Sequence, residues 1–250
     1  MNLNLEKLMA TKSLIKASDL PDIEFFTTGF PEIDEIVKFP VGRIVEIFGL
    51  QSVGKTTLTM ISIAGMTKAG LKCLFIDVEN TFNKGWATQL GVDLDKLMVS
   101  EEVILEEIVT LVKDNVDNFD VIVIDSVAAM IPRAEFEGKS GEAFMGLKPR
   151  LMNQFMRMIT GPLAKSKTTL IFINQLRENM EMFAAKYQTP GGLGLKFGAS
   201  LRLELKTTAK DRIEKTVKGV KTSVGHRVTV NIVKSKVGKP KQTAQFDVIY

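Results

Sequence analysis

Arg43-Ile44-Val45-Glu46-Ile47-Phe48-Gly49-Leu50-Gln51-Ser52-Val53-Gly54-Lys55-Thr56 is the stretch that decides the fold of this 250-residue chain. Its first six residues form a short run rich in β-branched and apolar side chains, the pattern of a buried strand. The next eight match G-x-x-x-x-G-K-[ST]. Beyond them Leu58, Ile61, Ile63 and Met66 recur at helical spacing, and Gly70 ends the run. A strand, a glycine-rich turn and a helix in that order make a phosphate cradle. The glycines let the backbone curl until its N–H groups face an anion, and the helix N-terminus adds its dipole. Lys55 is expected to reach the β- and γ-phosphates of a nucleotide, and the Thr56 hydroxyl to ligate Mg²⁺. The ATP-binding set therefore runs from Gly49 through Thr57.

Outward from this turn, strands and helices alternate. Residues 73–78, 121–124 and 169–173 read as strands, 105–112 and 149–163 as helices. Residues 121–124 (VIVI) are apolar throughout, as a parallel strand covered on both faces must be. After Gly194 the pattern changes: 200–205, 227–233 and 245–250 alternate polar and apolar residues and leave little room for helices. The expected fold is α/β, a mostly parallel central sheet flanked by helices, with an antiparallel extension at the C-terminal end.

Composition excludes several classes. One cysteine, Cys73, forbids an internal disulfide, sits in an apolar run as a small core residue, and suits a reducing cytoplasm. No apolar run approaches the roughly 20 residues that span a bilayer, so no membrane partner is expected. The net charge is only +4, but residues 206–241 hold eleven Lys and Arg against Asp211 and Glu214. A block so basic suits a polyanion such as nucleic acid.

Two acids complete the nucleotide chemistry. Asp125 ends the 121–124 run, where a carboxylate supports Mg²⁺. Hydrolysis also needs a general base. Carboxyl ends of parallel strands share one ligand-binding edge, so Glu79 and Asp77 both qualify, with Glu79 preferred.

In their order and spacing, several stretches together resemble the RecA family of strand-exchange recombinases. They are Thr27-Thr28-Gly29 with Ile33-Asp34, residues 42–47, the phosphate loop, Phe75-Ile76-Asp77-Val78-Glu79, Val123-Ile124-Asp125-Ser126, and Ile171-Phe172-Ile173-Asn174-Gln175-Leu176-Arg177. Gly191-Gly192 with Leu195-Lys196-Phe197, and Val233-Lys234-Ser235-Lys236, complete the set. The resemblance implies roles. Glu79 takes the place of the catalytic glutamate, Gln175 that of the γ-phosphate sensor, Trp86 that of the aromatic stacked on adenine, and Asn83 an adenine-contacting position. Lys234 and Lys236 match a lysine pair that reaches the neighbouring subunit's γ-phosphate, so ATP would lie between protomers.

The resemblance also implies single-stranded DNA, and homologous duplex DNA, as partners. One mobile loop spans 137–146, a second 178–192. Arg150 and Arg157, seven apart on one helical face, would hold phosphates. Met145 and Phe183 would pack on bases, and Gly191 and Gly192 would let backbone approach the strand. Leu14, Ile15 and Lys16 resemble a polymerisation strand that adds to a neighbour's sheet edge, a head-to-tail contact that builds an open helical filament. The expected organisation is a short helix and this strand over 1–25, and an ATPase core over 26–250 without the family's C-terminal domain. Gly198 also departs from the family, which carries an aromatic there. A ring-forming motor ATPase and a DNA-binding paralogue that uses ATP only as a clamp are the competing readings.

Overall fold

The structure is a computed structural model and describes residues 14, 16–139, 142, 144, 146–178, 187–217 and 220–249. A nine-stranded sheet forms its centre. Its parallel part comprises β3 (Ile44–Gly49), β4 (Cys73–Asp77), β5 (Leu97–Ser100), β6 (Val121–Asp125), β7 (Thr169–Gln175) and β10 (Leu201–Lys206). Their order across the sheet is β10-β3-β7-β6-β4-β5, every neighbour parallel. Beyond β10 lies the antiparallel extension: β12 (Val220–Ser235) pairs with β10, β11 (Arg212–Val217) and β13 (Thr243–Ile249). Two short pairs stand apart from this sheet. They are β1 (Phe25–Phe26) with β2 (Phe39–Pro40), and β8 (Arg177–Glu178) with β9 (Tyr187–Gln188).

Helices cover both faces: α1 (Pro31–Asp34), α2 (Lys55–Lys68), α3 (Lys84–Gln89), α4 (Leu105–Asn115), α5 (Arg133–Glu137), α6 (Leu147–Ser166) and α7 (Gly192–Gly198). Side chains alternate across each strand, so one face packs α1, α2 and α3 against Val45, Ile47, Val121 and Val123. The other packs α4, α6 and α7 against Ile44, Ile122, Ile124 and Phe172. With both faces covered, the central strands are buried along their length, save Gln175 at the end of β7, which is why their sequences show no polar alternation.

The short helix expected near the N-terminus lies outside the described residues; the other strands and helices read from the sequence are present, and the structure adds further ones, among them residues 31–34, 84–89, 133–137 and 212–217. Residues 97–100 form the outermost parallel strand, residues 192–198 a short helix, and β10 is not purely part of the antiparallel extension. It runs parallel to β3 on one side and antiparallel to β12 on the other. Its alternation of Leu201, Leu203 and Leu205 with Arg202 and Glu204 imitates a half-solvated strand. Yet Arg202 is only 6% exposed, because its charge is met inside the protein by Glu46.

Candidate nucleotide site and nucleic-acid interface

The phosphate loop runs from the carboxyl end of β3 into α2. Gly54 has φ +93°, a left-handed value, and a Cβ there would meet Val248 Cγ2 at 3.2 Å. Only glycine both takes that turn without strain and lets the C-terminal strands close over it. Lys55, buried at the helix start, turns its ammonium back on the loop: Nζ donates to Leu50 O (2.7 Å) and Gly49 O (3.3 Å). Burial lowers its proton affinity, and the carboxylates of Asp125 and Glu79 oppose that.

Thr56 Oγ1 donates to Asp125 Oδ2 at 2.6 Å, joining helix start and β6 end. Burial pushes the Asp125 carboxyl up from 3.8 to about 6; the Thr56 hydrogen bond opposes the rise, and Glu79 adds to it. A buried carboxylate short of counter-charge beside a hydroxyl is a set of hard oxygen donors, which fits Mg²⁺. Asp77, the rival base, points elsewhere. Its Oδ2 accepts from Phe82 N at 2.7 Å, while Oδ1 is buried without a hydrogen-bond partner. Glu79 is only half-buried, and its Oε1 accepts both from Gln175 Nε2 (2.7 Å) and from Ser126 Oγ. Geometry thus favours Glu79 over Asp77.

These groups border one cavity of about 390 Å³, lined by residues 51–57 with Glu79, Trp86, Asp125 and Gln175. Trp86 sits on α3, whose first turn Asn83 caps by accepting from Trp86 N at 2.9 Å. Asn83 therefore orients the tryptophan, and both residues line a small recess that adjoins Thr56. Sequence reading missed two wall residues, His226 and Val248. They lie on β12 and β13 and are register partners. No local motif marks them; the one available signal was that His226 is the chain's single histidine.

Lys234 and Lys236 do not border this cavity. Lys234 pairs with Arg202, and Arg202 with Glu46, three residues before Gly49. That places Lys234 roughly 10 Å back along the strands from the phosphate loop. Its Nζ donates to Lys196 O (2.9 Å) and Phe197 O (2.8 Å), while Lys236 Nζ donates to Phe197 O (3.3 Å). Both lysines thus gather at the end of α7, on the face of the sheet opposite α2.

Arg150 and Arg157 project outward from α6, whose inner face buries Met152, Phe155, Met156, Ile159 and Leu163. Near them Lys148 Nζ donates to Ala128 O at 2.8 Å. Burial and the Arg177 charge lower that ammonium to about 8, with Glu135 opposing. Gly191 and Gly192 open α7, and Gly192 has φ +72° with the position of a Cβ only 2.9 Å from Pro149 Cβ. The turn is tight because the backbone lies against α6. β8 and β9 close the root of the 178–192 loop. Leu14 is 43% exposed and Lys16 is exposed as well. Ile15, Met145 and Phe183 lie outside the described residues. Among the described residues no helix is long and apolar enough to cross a membrane.

The chain matches the family of the RecA N-terminal domain over residues 3–250. It is 42% identical to the protein RecA of Streptomyces avermitilis, the match covering 98% of this chain and 66% of that protein. Against the RecA proteins of Streptomyces venezuelae and Leptospira meyeri the identities are 45% and 44%, covering 91% and 92% of this chain and 60% of each relative. It thus spans less than two thirds of the length of these relatives. With the match running through the phosphate loop, both acids and the lysine-bearing strand, the chain belongs to the RecA family.

Proposed function

We propose that this chain is a recombination protein that binds ATP with Mg²⁺, polymerises head-to-tail on single-stranded DNA and pairs that strand with homologous duplex DNA, hydrolysis of ATP releasing the grip. The observation that carries the reading is the convergence on one cavity of Lys55, the Thr56–Asp125 pair, and a Glu79 carboxylate held by Gln175 and Ser126.

The chemistry follows from these positions. Thr56 and Asp125 would hold Mg²⁺, which when bound neutralises charge on the β- and γ-phosphate oxygens. Lys55 leaves the loop carbonyls for those oxygens. Glu79 accepts a proton from water as the water oxygen bonds to the γ-phosphorus and the bond to the β–γ bridging oxygen breaks, leaving ADP and phosphate. Gln175 donates to Glu79 and begins the connection to the 178–192 loop, so the presence of a γ-phosphate and the setting of that loop are linked. Trp86 offers an indole face for the base.

Assembly follows from what one copy lacks. Lys234 and Lys236 stand on the wrong face to reach their own cavity. Placed against a neighbour's, they would stabilise charge developing in phosphoryl transfer. Among the described residues β5 pairs only with β4, and its edge leaves Met98 (59%) and Val99 (39%) exposed. A strand carrying Leu14 from another copy can pair there. DNA contacts by Arg150, Arg157 and the glycine turn would be to phosphates, hence indifferent to sequence and sensitive to salt. The test is the ATPase rate with and without oligothymidine, and electron microscopy with a non-hydrolysable ATP analogue. Stimulation and helical filaments are expected; an unstimulated monomer would refute the reading.

A further inference from the structure

We infer that Glu46, Arg202 and Asn174 form a buried relay that ties Gln175 to the root of the 178–192 loop and to the strand carrying Lys234, so that nucleotide and DNA bias one shared arrangement. The inference rests on the proposed function and names positioning residues within it.

Asn174, fully buried at the end of β7, makes three hydrogen bonds. Its Nδ2 donates to Glu46 Oε1 (3.0 Å) and to Pro190 O (2.9 Å), and its Oδ1 accepts from Gln175 N (3.0 Å). One amide thus fixes the residue that holds Glu79 and the peptide just before Gly191. Glu46, on β3 and also fully buried, uses its second oxygen to accept from Arg202 Nε at 2.5 Å. The Arg202 guanidinium lies 4.6 Å over the Phe48 ring, and Arg202 is the cross-strand partner of Lys234. The Lys234 ammonium responds to this charge. Burial lowers its proton affinity most, Lys236 and Arg202 lower it further, and Glu46 opposes them. Through Lys196 O and Phe197 O, Lys234 then grips the far end of α7, the helix that begins at Gly192. Loop root, sensor and lysine strand therefore meet in one set of contacts.

Stability does not explain such a set. A buried ion pair costs its desolvation and is often no better than apolar side chains of the same volume. What it supplies is a discrete geometry that fails as a unit when one member moves, the property a coupled two-state element requires.

The test separates coupling from folding. Binding of a fluorescent non-hydrolysable ATP analogue, and of labelled oligothymidine with and without that analogue, would be measured for the native chain, Glu46→Gln, and the apolar double variant E46M/R202L. The native chain should bind DNA more tightly with the analogue. In both variants nucleotide affinity and nucleotide-free DNA affinity should stay within about two-fold, while the factor by which nucleotide tightens DNA binding falls about ten-fold. Native coupling in a folded variant would overturn the relay alone. If Glu46→Gln does not fold, the double variant decides. Unfolding of both assigns the pair to stability and also overturns the relay. A native chain whose DNA affinity ignores nucleotide would overturn the functional reading, and the relay with it.

Discussion

Glu79 receives two hydrogen bonds on one oxygen, from Gln175 and Ser126, and this leaves its other oxygen to meet a water. Glu79→Gln keeps the shape and removes the proposed base. Its turnover should fall at least about 100-fold, the usual scale of general-base catalysis, while the Kd for ATP stays near native. Single-turnover hydrolysis beside a binding titration reads both. Lys148 offers a test with a pH signature. Its ammonium is lowered to about 8, by burial first and then by Arg177. A depressed proton affinity means that the charged form is disfavoured in the fold. The stability this group contributes is present above about 10.5, its ordinary value, and lost as pH falls through about 8. Lys148→Met should therefore unfold at a higher temperature than the native chain at pH 7, with the gap closing toward pH 10, as scanning calorimetry would record. Residues of this kind were only partly legible. Lys55, Asp125 and Glu79 stand out in the sequence because the loop and strand ends that carry them follow a local motif, whereas His226 and Val248 reach the same cavity only through the pairing of distant strands.

α7 and β10 show the same divide among elements. α7 is too short for its periodicity to be read, and it starts at Gly192 behind a glycine N-cap, Gly191, although glycines normally end helices. Contact with α6 stabilises it, not propensity. β10 was legible as a strand but not by its neighbours, because Arg202 looks like a solvent-facing residue until Glu46 is known to lie beside it. β5, only four residues long and at the rim, is too short to stand out, apolar though three of its residues are. Packing at the start of α7 gives a prediction at this scale. Gly192→Ala would place a methyl 2.9 Å from Pro149 Cβ at a φ of +72°. It should cost about 1–3 kcal/mol in urea unfolding. It should also weaken oligothymidine binding, because the turn it distorts closes the 178–192 loop.

The molecule as a whole has its candidate nucleotide cavity beside α2 and its lysine pair on the opposite face of the sheet. A surface that uses two different patches joins copies head-to-tail and does not close on itself in pairs. Catalysis at such a boundary can be shown by mixing two dead proteins. Lys55→Ala loses its own nucleotide but keeps Lys234 and Lys236. The double variant K234A/K236A binds nucleotide but offers its neighbour nothing. Each should be inactive alone even with saturating single-stranded DNA. In an equimolar mixture, a boundary is complete when the double variant supplies the pocket and Lys55→Ala supplies the lysines. Random assembly makes about one boundary in four of that kind, so about a quarter of the native rate per boundary should return. Adding Leu14→Asp to both variants should abolish the recovery, since the apolar strand that would join the copies is gone. Recovery that persists with Leu14→Asp would place the joint elsewhere. No recovery from folded, DNA-bound mixtures would mean that Lys234 and Lys236 serve no neighbour.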